Sequence, residues 1–417
     1  MPDILSNPGR AKLALVGMGV ALPEGLPRAS HWISQTNAVE TVVDMRLPSG
    51  QFATVPVGQP YTDSSPISLH MDADVDAGGD GASAELRCNG ERLAVHLIPV
   101  PSYYSQTTRS GARMGTFSAL HDRLLFLHPA MGCGFFAGKD QACQYCQYDS
   151  LLNEEHPPLR DPLELVEVVH AALAERQVDT VYLYNGFSPG GDAGLKRLIP
   201  VIELLRRHLG HRQIALETVA PEDVAVIDEL YAAGLDIFVC NLELFDEQAF
   251  ASICPGKQAN GGQRAIWAAL ERAQQSFRWG AVVSNMIPGL EPLEATLEGM
   301  KELVARGVVP LLVPFRPLPG TPLGGRKIPD IDEMEAMFLA LYDLLNEASI
   351  PTHRLRDMGR VLTPMESRIL VGGDVALSDR LQQWITSPVG RRVGGWLDGL
   401  RRHLRVRSDE QELGGRR

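Results

Sequence analysis

The chain has 417 residues, 44% of them apolar, which is enough for a full core and for one large domain with additions. A net charge of −12 excludes a general nucleic-acid or anionic-membrane surface and leaves room only for a local basic pocket. The opening MPDILSNPGR has no basic flank, apolar run and cleavage site, and no apolar run approaches the ~18 residues of a membrane span. These features predict a cytoplasmic protein whose thiols stay reduced, with no nucleic-acid or membrane partner.

Residues 1–120 read as an N-terminal β-containing region. LALVGMGVALPEG carries Gly17 and Gly19, but Leu22 stands where a dinucleotide fingerprint needs a third glycine, and no βαβ unit follows. It reads as a packed helix or strand. The acidic, Gly-rich DADVDAGGDGAS, residues 72–83, reads as a mobile loop. AELRCNGERLAVHLIPV has two extended runs around Asn89-Gly90, which predicts a hairpin.

From residue 121 short apolar strands alternate with amphipathic helices. Strands are expected at 123–131, 180–186, 213–219, 236–243, 280–287 and 309–315. One helix should open at Asp161-Pro162, with Glu164 in its first turn. Another is expected from Pro221 to Gly234, with Val224, Ile227, Leu230 and Tyr231 on one face. The alternation predicts a parallel sheet, and six units without a break predict an α/β partial (β/α)6 TIM-like barrel over 121–325. A C-terminal helical extension over 326–417 completes the expected domains, its tail a solvated helix end. Parallel α/β folds place chemistry at the carboxyl ends of their strands. CGFFAGKDQACQYC, GFSPGGD, NLE, IPGLE and FRPLPGTPL all fall at that rim.

Cys133, Cys143 and Cys146 are three of six cysteines, gathered on one loop. Thiolates suit zinc or iron–sulfur clusters. A structural zinc needs a fourth protein ligand, for which His121 and His128 are the nearby choices. A [4Fe-4S] cluster held by three cysteines keeps one iron open for a substrate or cofactor. A phosphate-loop reading fails, because the glycine spacing before Gly138-Lys139 is wrong and Asp140 replaces the magnesium-binding hydroxyl. Cys88, Cys240 and Cys254 read as packed thiols.

The Cys143-Gln144-Tyr145-Cys146 segment, with an aromatic before the last cysteine, resembles the radical S-adenosylmethionine (SAM) superfamily. The nine residues between Cys133 and Cys143, where the usual signature has three, are the departure. The resemblance implies cluster ligation by Cys133, Cys143 and Cys146, and Tyr145 packed near adenine. It implies that Gly190, Gly191 and Asp192 stand for the Gly-Gly-Glu motif that binds the methionine amino group. The fourth strand is similar to that of biotin synthase, so Asn241 and Glu243 are expected at the ribose hydroxyls, their side chains on one face of an extended strand. Arg264 is expected at the methionine carboxylate, and Ile287 and Gly289 beside adenine. The long gap, Pro255-Gly256-Lys257 and the PF-x-P-x-x-GTPL segment resemble the radical SAM family encoded beside nitrilase genes in bacteria; members of that family end in a Cys-rich segment, whereas no cysteine follows Cys254 here.

The expected function is therefore that of a radical SAM enzyme. It would cleave SAM reductively at a [4Fe-4S] cluster and abstract hydrogen from a small-molecule substrate. Its electron donor would be a flavodoxin or ferredoxin. Glu217, Lys257 and Arg316 are rim residues expected to contact substrate or SAM, with a solvated lysine and a structural ion pair at Arg316 as the alternatives. Two rival functions stay open: a metal-binding structural or regulatory barrel, and an enzyme transferring another fragment of SAM.

Overall fold

The computed structural model describes residues 4–22, 31–36, 40–71, 81–138, 140–148 and 158–355, then 358, 362–364, 366–371, 393, 396–397 and 399–400. The chain opens with α1 (Pro8–Met18), whose first turn is capped by the Asn7 carboxamide accepting from Gly9 N and Arg10 N. Six antiparallel strands follow: β1 (Ile33–Thr36), β2 (Glu40–Arg46), β3 (Phe52–Pro56), β4 (Ser68–Met71), β5 (Ala82–Cys88) and β6 (Glu91–Ile98). The expected hairpin is β5–β6, with Asn89 and Gly90 both at positive φ, the backbone that a two-residue turn of this type demands. Gly17 and Gly19 fall at the end of α1, so the packed-helix reading of that segment holds. Residues 72–80 of the expected acidic loop lie outside the described residues, as does the tail beyond Leu400; Ala82 and Ser83 belong to β5.

A second sheet begins with the hairpin β7 (Ser118–His121) and β8 (Leu124–Leu127). The chain then runs α2 (Pro162–Glu175), β9 (Thr180–Tyr184), α3 (Ile199–Leu209), β10 (Gln213–Thr218), α4 (Val226–Ala233) and β11 (Ile237–Cys240). It continues through α5 (Glu247–Ile253), α6 (Pro255–Ala259), α7 (Gly262–Ser276), β12 (Val282–Met286), α8 (Leu293–Ala305), β13 (Val309–Leu312) and α9 (Ile331–Glu347). From β8 to β13 six strands pair parallel in chain order. This is the partial (β/α)6 barrel, open between its first and last parallel strands among the described residues. β11 and β13 are buried at every position, as strands covered on both faces must be.

Two local expectations shift. α2 starts where expected, with the Asp161 carboxylate accepting from Leu163 N. α4 starts at Val226 rather than Pro221. The Asp223 carboxylate accepts from Ala225 N and the Asp223 amide donates to Gly191 O, and this turn consumes the groups that a longer helix would need. α9, in the segment expected to be the C-terminal extension, packs on α8 and β13 as the sixth barrel helix and also meets α1.

Candidate functional site

One cavity opens at the carboxyl ends of the barrel strands. It is lined by Cys133, Cys143, Tyr145 and Cys146 from the loop after β8, and by Asn185 and Gly186 after β9. Glu217 comes from β10, Asn241 and Glu243 follow β11, Lys257 is on α6, and Asn285 and Ile287 come from β12 and just after it. Another part of its wall is apolar and aromatic, with Phe126, Tyr182, Leu311, Leu312, Met358 and Leu362.

Backbone amides reach two of the sulfurs, Phe187 N at 3.3 Å from Cys133 Sγ and Tyr148 N at 3.3 Å from Cys146 Sγ. Burial pushes the Cys133 thiol up to about 11 and the Cys146 thiol higher still. Cys143 is held below its ordinary value, chiefly by a hydrogen bond with Cys254. Cys88, Cys240 and Cys254 are all buried, as read from sequence, and Cys254 in addition meets the cysteine loop through Cys143.

Among the described residues no three His, Cys, Asp or Glu side chains converge as one mononuclear ion requires. His121 contacts Thr54 and Asp44 in the N-terminal sheet, and His128 pairs with the Tyr148 hydroxyl. A structural zinc needs four ligand atoms within about 2.3 Å of one point. A polynuclear cluster gives each cysteine its own iron, and so suits thiols spread around a cavity. The donor set fits the second demand.

The segment after β9 is the part sequence reasoning misplaced. Asn185 and Gly186 line the cavity, whereas Gly190 and Gly191 are exposed and outside the lining, and the Asp192 carboxylate accepts from Gly194 N and Lys196 N within its own turn. A Cβ on Gly186 would stand 2.3 Å from Gly132 O and 2.8 Å from Cys133 Cβ, so only glycine allows this approach. Asn185 is 2% exposed, and neither its Oδ1 nor its Nδ2 has a hydrogen-bond partner among the described residues. A buried amide left this way is costly unless a ligand completes it.

Asn241 and Glu243 share the cavity, but not for the reason expected. β11 ends at Cys240 and Glu243 has φ +66°, with Leu244 N donating to Leu242 O at 2.8 Å across a tight turn. That conformation is strained for a non-glycine residue and is held by Glu243 N to Asn285 O at 3.0 Å and Ile287 N to Glu243 O at 2.8 Å. Asn241 Nδ2 donates to Glu217 Oε1 at 2.6 Å and the Tyr182 hydroxyl donates to Glu217 Oε2, so both carboxylate oxygens of Glu217 are engaged. Lys257 pairs with Glu243.

Three other sequence choices stand apart. Arg264 is exposed on α7 and does not line the cavity. Gly289, at φ +95°, packs against Pro329. Arg316 is paired with Glu40 of the N-terminal sheet at 2.7 Å, which is the structural alternative foreseen for it.

The family model described as the Radical SAM superfamily matches residues 135–304. The segment is a radical SAM domain, an enzyme domain whose superfamily implies SAM, iron–sulfur and metal binding. The bacteriochlorophyllide c C-7(1)-hydroxylase of Chlorobaculum limnaeum is 30% identical over 125 residues, 30% of this chain and 31% of that protein. The chain thus matches about a third of the length of this curated relative. Among solved structures, a methylornithine synthase is similar at 17% identity and a TM-score of 0.42, covering 52% of this chain and 61% of that one. A radical SAM methyltransferase from Sphaerobacter thermophilus is similar at 16% identity and a TM-score of 0.41, covering 69% and 76%. No helix among the described residues is long and apolar enough to cross a membrane.

Proposed function

We propose that this chain is a radical SAM enzyme that releases a 5′-deoxyadenosyl radical and abstracts hydrogen from a small-molecule substrate. The observation that carries the reading is one cavity uniting three cysteines of a single loop with a buried amide unpartnered among the described residues and a polar rim from successive strands. Cys133, Cys143 and Cys146 would hold a [4Fe-4S] cluster, which when bound would supply the electron for reductive cleavage of SAM. Tyr145 and Ile287 flank the adenine, and Asn241 with Glu243 face the ribose. Asn185 takes up a polar group of SAM that it would otherwise leave unpaired. Glu217 stays in place through Tyr182 and Asn241, fixing the angle of the Asn241 amide. The apolar wall around Phe126 and Leu311 excludes water from the reacting end. An external one-electron donor of the flavodoxin or ferredoxin kind, in the cytoplasm, completes the scheme. Gly190, Gly191, Asp192, Arg264 and Gly289 would reach SAM only through a rearranged rim.

The test is anaerobic reconstitution followed by reduction with SAM. We expect about four irons per chain and release of 5′-deoxyadenosine. Any one of Cys133→Ala, Cys143→Ala or Cys146→Ala should lose the cluster. Tight zinc without iron would return the function to a structural metal site. Methylthioadenosine in place of 5′-deoxyadenosine would indicate transfer of another SAM fragment.

A further inference from the structure

Pro255-Gly256-Lys257 has no role in the reading above, yet the fold builds it into the cysteine loop. Gln144 N donates to Ile253 O at 2.9 Å and Gln144 Nε2 to Ser252 O at 2.7 Å. Gly256 N donates to Gln141 O at 2.9 Å, and Cys254 hydrogen-bonds Cys143. A Cβ on Gly256 would lie 2.4 Å from Gln141 O and 2.6 Å from the Phe135 ring, so the close docking requires glycine. Phe135 in turn stacks on Phe187 with ring centroids 4.1 Å apart. The long gap between Cys133 and Cys143 is thus folded onto the α5–α6 junction, and that docking fixes where α6 carries Lys257.

Lys257 enters the same cavity as the three cysteines. Its side chain and that of Glu243, its partner, are only 11% and 7% exposed. Burial works against its charge, but Glu243 and then the Cys143 sulfur hold the ammonium well above its ordinary value.

We propose that Lys257 is the fixed counter-charge of the cysteine triad, a positioning cation that raises the midpoint potential of the cluster bound there. The inference rests on the cluster assigned to these cysteines. A cluster that accepts one electron becomes more negative by one charge, and a cation inside a poorly screened cavity favours that state. Glu243 anchors the ammonium and carries the opposite charge, so the two side chains shift the potential in opposite directions.

The experiment is a redox titration, followed by electron paramagnetic resonance at pH 7, of the full reconstituted chain without SAM. Lys257→Met should keep the wild-type iron content and shift the potential downward. At a fixed ambient potential roughly tenfold less cluster should be reduced, about 59 mV for a one-electron couple. Lys257→Arg should stay near wild type, and Glu243→Gln should shift upward. Unmoved potentials in Lys257→Met and Glu243→Gln, with weakened SAM binding, would make Lys257 a SAM contact and overturn the proposal. Should Lys257→Met lose its iron, Glu243→Gln decides alone, and a wild-type potential there overturns the proposal. A wild-type chain that takes up no iron would overturn the cluster reading, and this inference with it; a loaded wild type with unmoved variants overturns this inference only.

Discussion

Two glycines near the β9 exit test which segment meets the cysteine loop. Gly186 faces Gly132 O, a backbone atom that cannot rotate away, whereas a Cβ on Gly191 would meet nothing within 4 Å among the described residues, and Gly191 has no positive φ. Gly186→Ala should therefore destabilise the fold by about 1–3 kcal/mol and lower iron occupancy after reconstitution. Gly191→Ala should change neither stability nor SAM affinity. Equilibrium dialysis of SAM against both variants checks this, and a large loss in Gly191→Ala would restore Gly190-Gly191-Asp192 to the site. The three cysteines that line the cavity were legible because half of the chain's six thiols gather on one loop. Asn185 and Gly186 were not, because nothing in an Asn-Gly pair reveals that a cysteine loop folds onto it. Arg264 shows the opposite failure. Ile266, Ala269, Leu270 and Ala273 form the buried stripe of α7, and Arg264 lies two residues from Ile266, about 160° round the helix from it. Its exposure was readable from that periodicity, but the choice rested on resemblance instead.

At the scale of elements, the barrel strands were legible because each is a short apolar run closed by a polar rim segment. Their ends were less so. β11 stops at Cys240 because the chain turns at Glu243, and a left-handed glutamate leaves no mark in sequence. Helix α2 carries a second element-level consequence. Glu164 in its first turn is buried, and Thr108 Oγ1 donates to its Oε1 at 2.8 Å, with Ser110 N at 3.3 Å. The Ser110 hydroxyl first, then Thr108 and the Ser110 amide, hold the carboxyl below its usual range, against the effect of burial. A carboxyl whose folded value lies below its unfolded value of about 4.3 stabilises the fold fully above that pH. The contribution declines as pH falls and is gone below the folded value. Glu164→Gln should therefore lower Tm at pH 7, and the gap to wild type should narrow as pH falls below about 4.3. A gap that is constant across a pH series of thermal melts would mean that the charge is not what fastens residues 108–110 to α2.

At the scale of the whole molecule, ion pairs join the N-terminal region to the barrel and to the segment that follows it. Lys12 of α1, only 4% exposed, reaches both carboxylate oxygens of Glu366 at 2.8 Å, and Arg10 pairs with Asp332 and Glu335 of α9. Arg316, on the segment leaving β13, pairs with Glu40 of β2 at 2.7 Å and donates to Val16 O of α1 at 3.4 Å. The Glu40–Arg316 side chains are only 6% and 10% exposed, so water cannot replace either partner. Removing one charge strands the other. Glu40→Ala should cost about 3–5 kcal/mol, while replacing both residues by apolar ones of similar size should cost much less than the sum of the two single changes. Urea unfolding of Glu40→Leu, Arg316→Met and the double variant closes that cycle. If the charges matter only as packing volume, the single variants will lose little and the effects will add. If the pair couples the two sheets, both singles will be strongly destabilised and the double will recover most of the loss. The two sheets should then unfold in one transition in the wild type and separate into two in Glu40→Leu. The iron spectrum should fade with the barrel transition, because Cys133, Cys143 and Cys146 all lie beyond the β7–β8 hairpin on the barrel side.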